Sequence, residues 1–117
     1  MNITEAKELL VNCIRREKDI VKISADSVNN FLRFIELNER VLTPLLSISP
    51  NHNIYCSWRK NNCVFSINFL SNNIIRYVFS KPNLVQPENK IRNYGTSINN
   101  TLFDDVSYDV LIGLVVE

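Results

Sequence analysis

Apolar and polar positions alternate most regularly between Asn53 and Ser80, NIYCSWRKNNCVFSINFLSNNIIRYVFS, and a period of two marks β-strands with one buried face. The stretch predicts three consecutive antiparallel strands joined by two tight turns. In the first strand Ile54, Cys56 and Trp58 share one face, and Tyr55, Ser57 and Arg59 share the other. In the second, Cys63, Phe65, Ile67 and Phe69 oppose Val64, Ser66, Asn68 and Leu70. Asn tolerates the positive φ of a type I′ turn, so a two-residue loop at Asn61-Asn62 pairs Trp58 with Phe65, Cys56 with Ile67 and Ile54 with Phe69. For the second hairpin, a two-residue loop at Asn72-Asn73 would set Arg76 beside Phe69 on the apolar face. A three-residue loop, Ser71-Asn72-Asn73, instead pairs Ile67 with Tyr77 and Phe65 with Phe79, and is the register chosen. The opposite face then carries Tyr55, Ser57, Arg59, Ser66, Asn68, Arg76 and Val78.

Upstream the period lengthens to that of a helix. Residues 4–22 predict a first helix capped by Thr4, with Ala6, Leu9, Leu10, Cys13, Ile14, Ile20 and Val21 along its apolar stripe. A second helix starts near Ser24 or Asp26, carries Val28, Phe31, Leu32 and Ile35 inward, and ends around residues 38–40. Thr43-Pro44 forces extended backbone, Leu45 to Ile48 predicts a short strand, and Ser49-Pro50-Asn51-His52 turns into the meander. Beyond Ser80, the two prolines of Lys81 to Asn89 predict a loop, and Ile91 to Tyr94 a short edge strand ending before Gly95. The tail alternates like a strand from Val106 to Val116, yet Asp104-Asp105 would cap a helix with Val106, Val110, Leu111 and Leu114 inside. A C-terminal helix is the reading taken. The fold expected is α+β: two N-terminal helices on an antiparallel meander of three to five strands, then that helix. All of it forms one domain, 1–117, with a helical part at 1–42, the sheet at 45–94 and the tail at 95–117.

Composition changes little in this picture. With 117 residues, 45% hydrophobic and 21% charged, the chain is an ordinary globular domain large enough for its own core. A net charge of +1 supplies no global field for nucleic acid or anionic membrane, so any such binding needs a local patch. The amino terminus lacks a signal-peptide layout, and no apolar run approaches the roughly 18 residues of a membrane span. A cytoplasmic location and no membrane contact are therefore expected. Three cysteines, an odd number, fit a reducing compartment, and Cys13 and Cys56 read as small core hydrophobes. Chemistry is sparse: His52 is the sole histidine, no Cys-x-x-Cys pair anchors a metal, and the two glycines, Gly95 and Gly113, form no phosphate loop. Adjacent Asp104 and Asp105 suit a helix start better than general acid–base work. No catalytic residue, cofactor or metal is expected.

Pro44, Ile54, Trp58, Phe65, Ser66, Ile67, Phe69 and Tyr77, within Ala25 to Ser80, resemble a family of small uncharacterised bacterial α+β proteins. In that family a helix precedes a proline and a Trp-containing β-meander; here Asn51-His52-Asn53 stands where an Asp-Gly turn is usual. The likeness covers about half the chain and rests on packing residues, so it implies a fold and transfers no active site. Its members are often accessory genes in variable genomic regions, which implies an antitoxin, immunity or inhibitor role. The expectation is a non-catalytic module presenting Tyr55, Arg59, Asn68 and Arg76 to a protein partner, since Tyr and Arg are favoured at interface hot spots. The alternative is a nucleic-acid binder with Tyr55 and Tyr77 as stacking groups and Arg59, Arg76, Lys81, Lys90 and Arg92 on phosphates, although the register turns Tyr77 inward. An edge strand also permits a homodimer.

Overall fold

A computed structural model describes residues 1–16, 22–86, 90–98, 102, 106 and 111–117. Two helices, α1 (Ile3–Arg16) and α2 (Ala25–Leu37), precede five strands: β1 (Leu45–Ile48), β2 (Ile54–Lys60), β3 (Cys63–Phe69), β4 (Ile74–Lys81) and β5 (Ile91–Ile98). The strands form one antiparallel sheet in chain order. The α+β architecture is as expected.

The hairpins show why the register was predictable. Asn61 and Asn62 both take positive φ, and Lys60 pairs with Cys63 across them, so Trp58 faces Phe65 and Cys56 faces Ile67. At the second hairpin Asn72 and Asn73 take the same conformation, and the Ile74 N–H closes on the Ser71 carbonyl. Ser71 is the extra residue that sets Ile67 opposite Tyr77 and Phe65 opposite Phe79. A slip of one residue would have exchanged the two faces. Instead Ile54, Cys56, Trp58, Phe65, Ile67, Phe69, Ile75 and Phe79 are buried together.

Helix α2 lies on this apolar face. Phe31 meets Phe69 edge-on and Phe34 meets the same ring tilted, both with centroids 5.5 Å apart. Two buried polar residues fasten it: Ser27 Oγ donates to the Phe69 carbonyl at 2.6 Å and accepts from the Ile54 N–H at 2.7 Å. Asn30 Nδ2 donates to the carbonyls of Leu70 and Ile74, at 2.9 and 2.8 Å. Ser24 caps the helix by accepting from the Ser27 N–H. In α1 the cap is Asn2 rather than Thr4, because Asn2 Oδ1 accepts from the Glu5 N–H while Glu5 Oε1 accepts from the Asn2 N–H. Ala6, Leu10 and Cys13 point inward, whereas Ile14, expected in the stripe, is exposed. The predicted extension of α1 through Ile20 and Val21 lies outside the described residues.

The sheet departs from expectation at its far edge. Strand β5 runs through Gly95 to Ile98, because Gly95 sits opposite Tyr77 and lets that ring cross it. A Cβ there would lie 2.7 Å from the Tyr77 hydroxyl oxygen. The ring in turn stacks on Phe65, with centroids 6.1 Å apart and planes 11° apart. Most of the expected C-terminal helix lies outside the described residues. Over residues 112–116 the chain makes a turn and a bridge instead: Gly113 adopts φ +80°, its N–H bonds the Val116 carbonyl, and Val116 pairs with Val41. Left-handed backbone at glycine ends a helix.

Cys13 and Cys56 are both buried, as read from the sequence, and burial with Cys13 close by pushes the Cys56 thiol well above its ordinary range. No helix among the described residues is long and apolar enough to cross a membrane.

Candidate macromolecular interface

The face of the sheet turned away from the helices is ordered into rows by the strand pairing. One row reads Ser47, Tyr55, Asn68, Arg76, Thr96 from β1 to β5. The next reads Leu45, Ser57, Ser66, Val78, Tyr94, and a third reads Arg59, Val64, Ser80, Arg92 across β2 to β5. Tyr55, Asn68 and Arg76 are therefore direct cross-strand neighbours. Arg59 is on the same face but four residues along β2 from Tyr55, about 13 Å away.

Relief follows from side-chain size. Ser57 and Ser66, expected to be presented to solvent, are 8% and 6% exposed because larger neighbours stand over them. They lower the middle row where it crosses β2 and β3, and that row, lying between the other two, is the trough of this face. Leu45 closes one end at 61% exposure and Tyr94 the other at 79%, and Val78, at 38%, rises between Ser66 and Tyr94. Tyr55, Asn68 and Arg76 form one wall; Arg59, Val64, Ser80 and Arg92 form the other.

At the β1 end the trough opens into a cleft of about 330 Å³ lined by Leu42, Thr43, Leu45, Ser57, Trp58, Arg59, Lys60, Gly113 and Leu114. It exists because β1 stops short. Pro44 has no N–H to extend the ladder, and the chain before it leaves β2 to pair Leu42 N–H with the Val115 carbonyl at 2.7 Å. The β1 pairing ends at Ser57, and the Trp58 indole N–H spans the opening to the Leu42 carbonyl at 2.8 Å.

Charge sorts sharply. Between Val41 and Phe103 the sequence holds Arg59, Lys60, Arg76, Lys81, Lys90 and Arg92 against Glu88 alone, six minus one or +5. Among the described residues the trough face carries Arg59, Arg76 and Arg92, all exposed, with no acidic side chain and no lysine. Asn68 Oδ1, in the wall between Tyr55 and Arg76, is buried and accepts no hydrogen bond. A buried acceptor without a donor is uncommon in a folded protein.

Comparison with family models, curated proteins and solved structures finds no match. Function therefore has to be argued from this face.

All four residues singled out from sequence, Tyr55, Arg59, Asn68 and Arg76, lie on it. Tyr94 lies on it too but was not singled out, because the predicted edge strand stopped there. Its alternation with Arg92, Thr96 and Ile98 was the available signal, visible once the strand is carried through Gly95. Tyr77, by contrast, belongs to the helix-side face, as the register had indicated. The cleft could not have been found, since it depends on the long-range pairing of Leu42 with Val115. Among the described residues no group of three or more His, Cys, Asp or Glu side chains could hold a metal ion.

Proposed function

We propose that the protein is a non-catalytic binding module, of the antitoxin, immunity or inhibitor kind, that engages a protein partner through the open face of its sheet. The observation that carries this is the composition of the trough: exposed Arg59, Arg76, Arg92, Tyr55 and Tyr94 beside Leu45 and Val78, without lysine among the described residues. Arg and Tyr are enriched at protein interfaces and Lys is depleted. A photo-crosslinking amino acid placed singly at Tyr55, Tyr94 or Arg33, on the exposed side of α2, tests it in the native cell. Protein adducts from the two tyrosine positions and none from Arg33 are expected. Adducts from Arg33 alone, or none from the sheet, would refute it.

Nucleic-acid binding by the same face is the second reading, favoured by the three arginines and the exposed Tyr94. It predicts adducts that nuclease digestion removes, and binding that weakens steeply with salt.

A further inference from the structure

Positions along the trough are fixed by strand spacing. Taking Arg59 on β2 as origin, Arg76 on β4 lies two strands along, about 10 Å, and Arg92 on β5 three strands along, about 14 Å. Arg59 and Arg92 share one wall, and Arg76 stands on the opposite wall.

An extended peptide advances about 3.3 Å per residue and points successive side chains to opposite sides. Laid along the trough, a residue at position 1 meets Arg59. Position 4, about 10 Å on, points to the opposite wall and meets Arg76, and position 5, about 13 Å on, returns to the first wall at Arg92. A helix rises only about 1.5 Å per residue and would need nine or ten residues to cover the same span. We infer that the trough takes an extended acidic segment of a protein partner, with carboxylates at positions 1, 4 and 5.

Charge complementarity selects this occupant, because the face is cationic with no acidic group among the described residues to compete. Arginine's planar fork matches a carboxylate in two parallel hydrogen bonds, which an ammonium cannot do. Ser57 and Ser66 place short side chains in the middle row, and Leu45 and Tyr94 offer apolar contact at the two ends. The inference rests on the open face being the binding surface, and adds which chemistry that surface reads.

A random-peptide display library panned on the immobilised full chain tests it, with Arg59→Ala, Arg76→Ala and Arg92→Ala panned in parallel after their folding is confirmed by circular dichroism and melting. Enriched peptides should carry Asp or Glu at spacing 1, 4 and 5. Each variant should relax the preference at its own position and bind the selected peptide about two- to fivefold more weakly, the range for solvent-exposed ion pairs. No enrichment, enrichment without acidic excess, or equal selection by all three variants overturns the inference. Preferential binding of a twelve-residue oligothymidylate, with a steep salt dependence, overturns it in favour of nucleic acid. If cross-links form at Tyr55 and Tyr94 while selected peptides lack the acidic pattern, the chemistry falls and the face stands; if no cross-link forms there, both fall.

Discussion

Single residues of the open face carry costs that folding alone does not explain. Asn68 holds a buried carbonyl oxygen without a donor, between Tyr55 and Arg76, in the middle strand of the sheet. Asn68→Val removes that acceptor and places a β-branched residue where strands favour one. Stability should rise by about 1 kcal/mol, the scale of an unmet polar group, read as a higher urea midpoint at unchanged m-value. A lower midpoint would mean that the Asn68 amide contributes to the fold. On the helix side Cys56 is the counterpart, a thiol kept neutral by burial first and by Cys13 second. Because its folded pKa is raised, its contribution to stability is whole below the unfolded thiol range, about pH 8.5, and is lost as pH rises toward the folded value. Melting temperature should therefore fall above about pH 8.5 more steeply in the native chain than in Cys56→Ala. Parallel curves would dismiss the thiol as the cause.

At the scale of elements, α2 is tied to the sheet by polar groups as well as by its phenylalanines. Ser27 stands between the Ile54 N–H and the Phe69 carbonyl, so Ser27→Ala strands one donor and one acceptor in the core. A loss of about 1–3 kcal/mol is expected in chemical denaturation, larger than the few tenths usual for a Ser→Ala change on an exposed helix. An unchanged midpoint would show the bridge to be dispensable. The sequence made the meander legible because two Asn-Asn turns fix its register and every apolar residue then falls on one side. It left Ser27 and Asn30 illegible, since small polar residues in a helix look like its solvent face until the strand ends they meet are known. Strand β5 was half legible: Gly95 read as a terminator, and only Tyr77 lying over it shows why glycine is needed mid-strand. Ile14 was misread for a related reason, as an apolar residue at helical spacing sits at the margin of a stripe whose width is set by the packing partner.

Among the described residues one apolar cluster joins both helices, strands β1 to β4 and the C-terminal turn, among them Ala6, Phe31, Leu46, Phe65, Phe79 and Val115. Charge is spread the opposite way: residues 1–40 hold seven acidic and seven basic side chains, 41–103 carry +5 and 104–117 carry −4. The net positive charge is thus confined to the sheet segment, and the core beneath it is shared. A shared core predicts that α1 and the sheet open together, and the cysteines report on this without a label on the binding face. Cys63 is partly exposed, while Cys13 on α1 and Cys56 on β2 are buried. In native conditions an aromatic disulfide reagent should modify one thiol per chain quickly and the other two slowly. If opening is global, Cys13 and Cys56 should react with the same rate and the same steep dependence on denaturant, since both wait for the same event. Should Cys13 react faster, with a shallow dependence, α1 would be opening on its own, and the sheet with α2 would be the unit that holds the trough in shape.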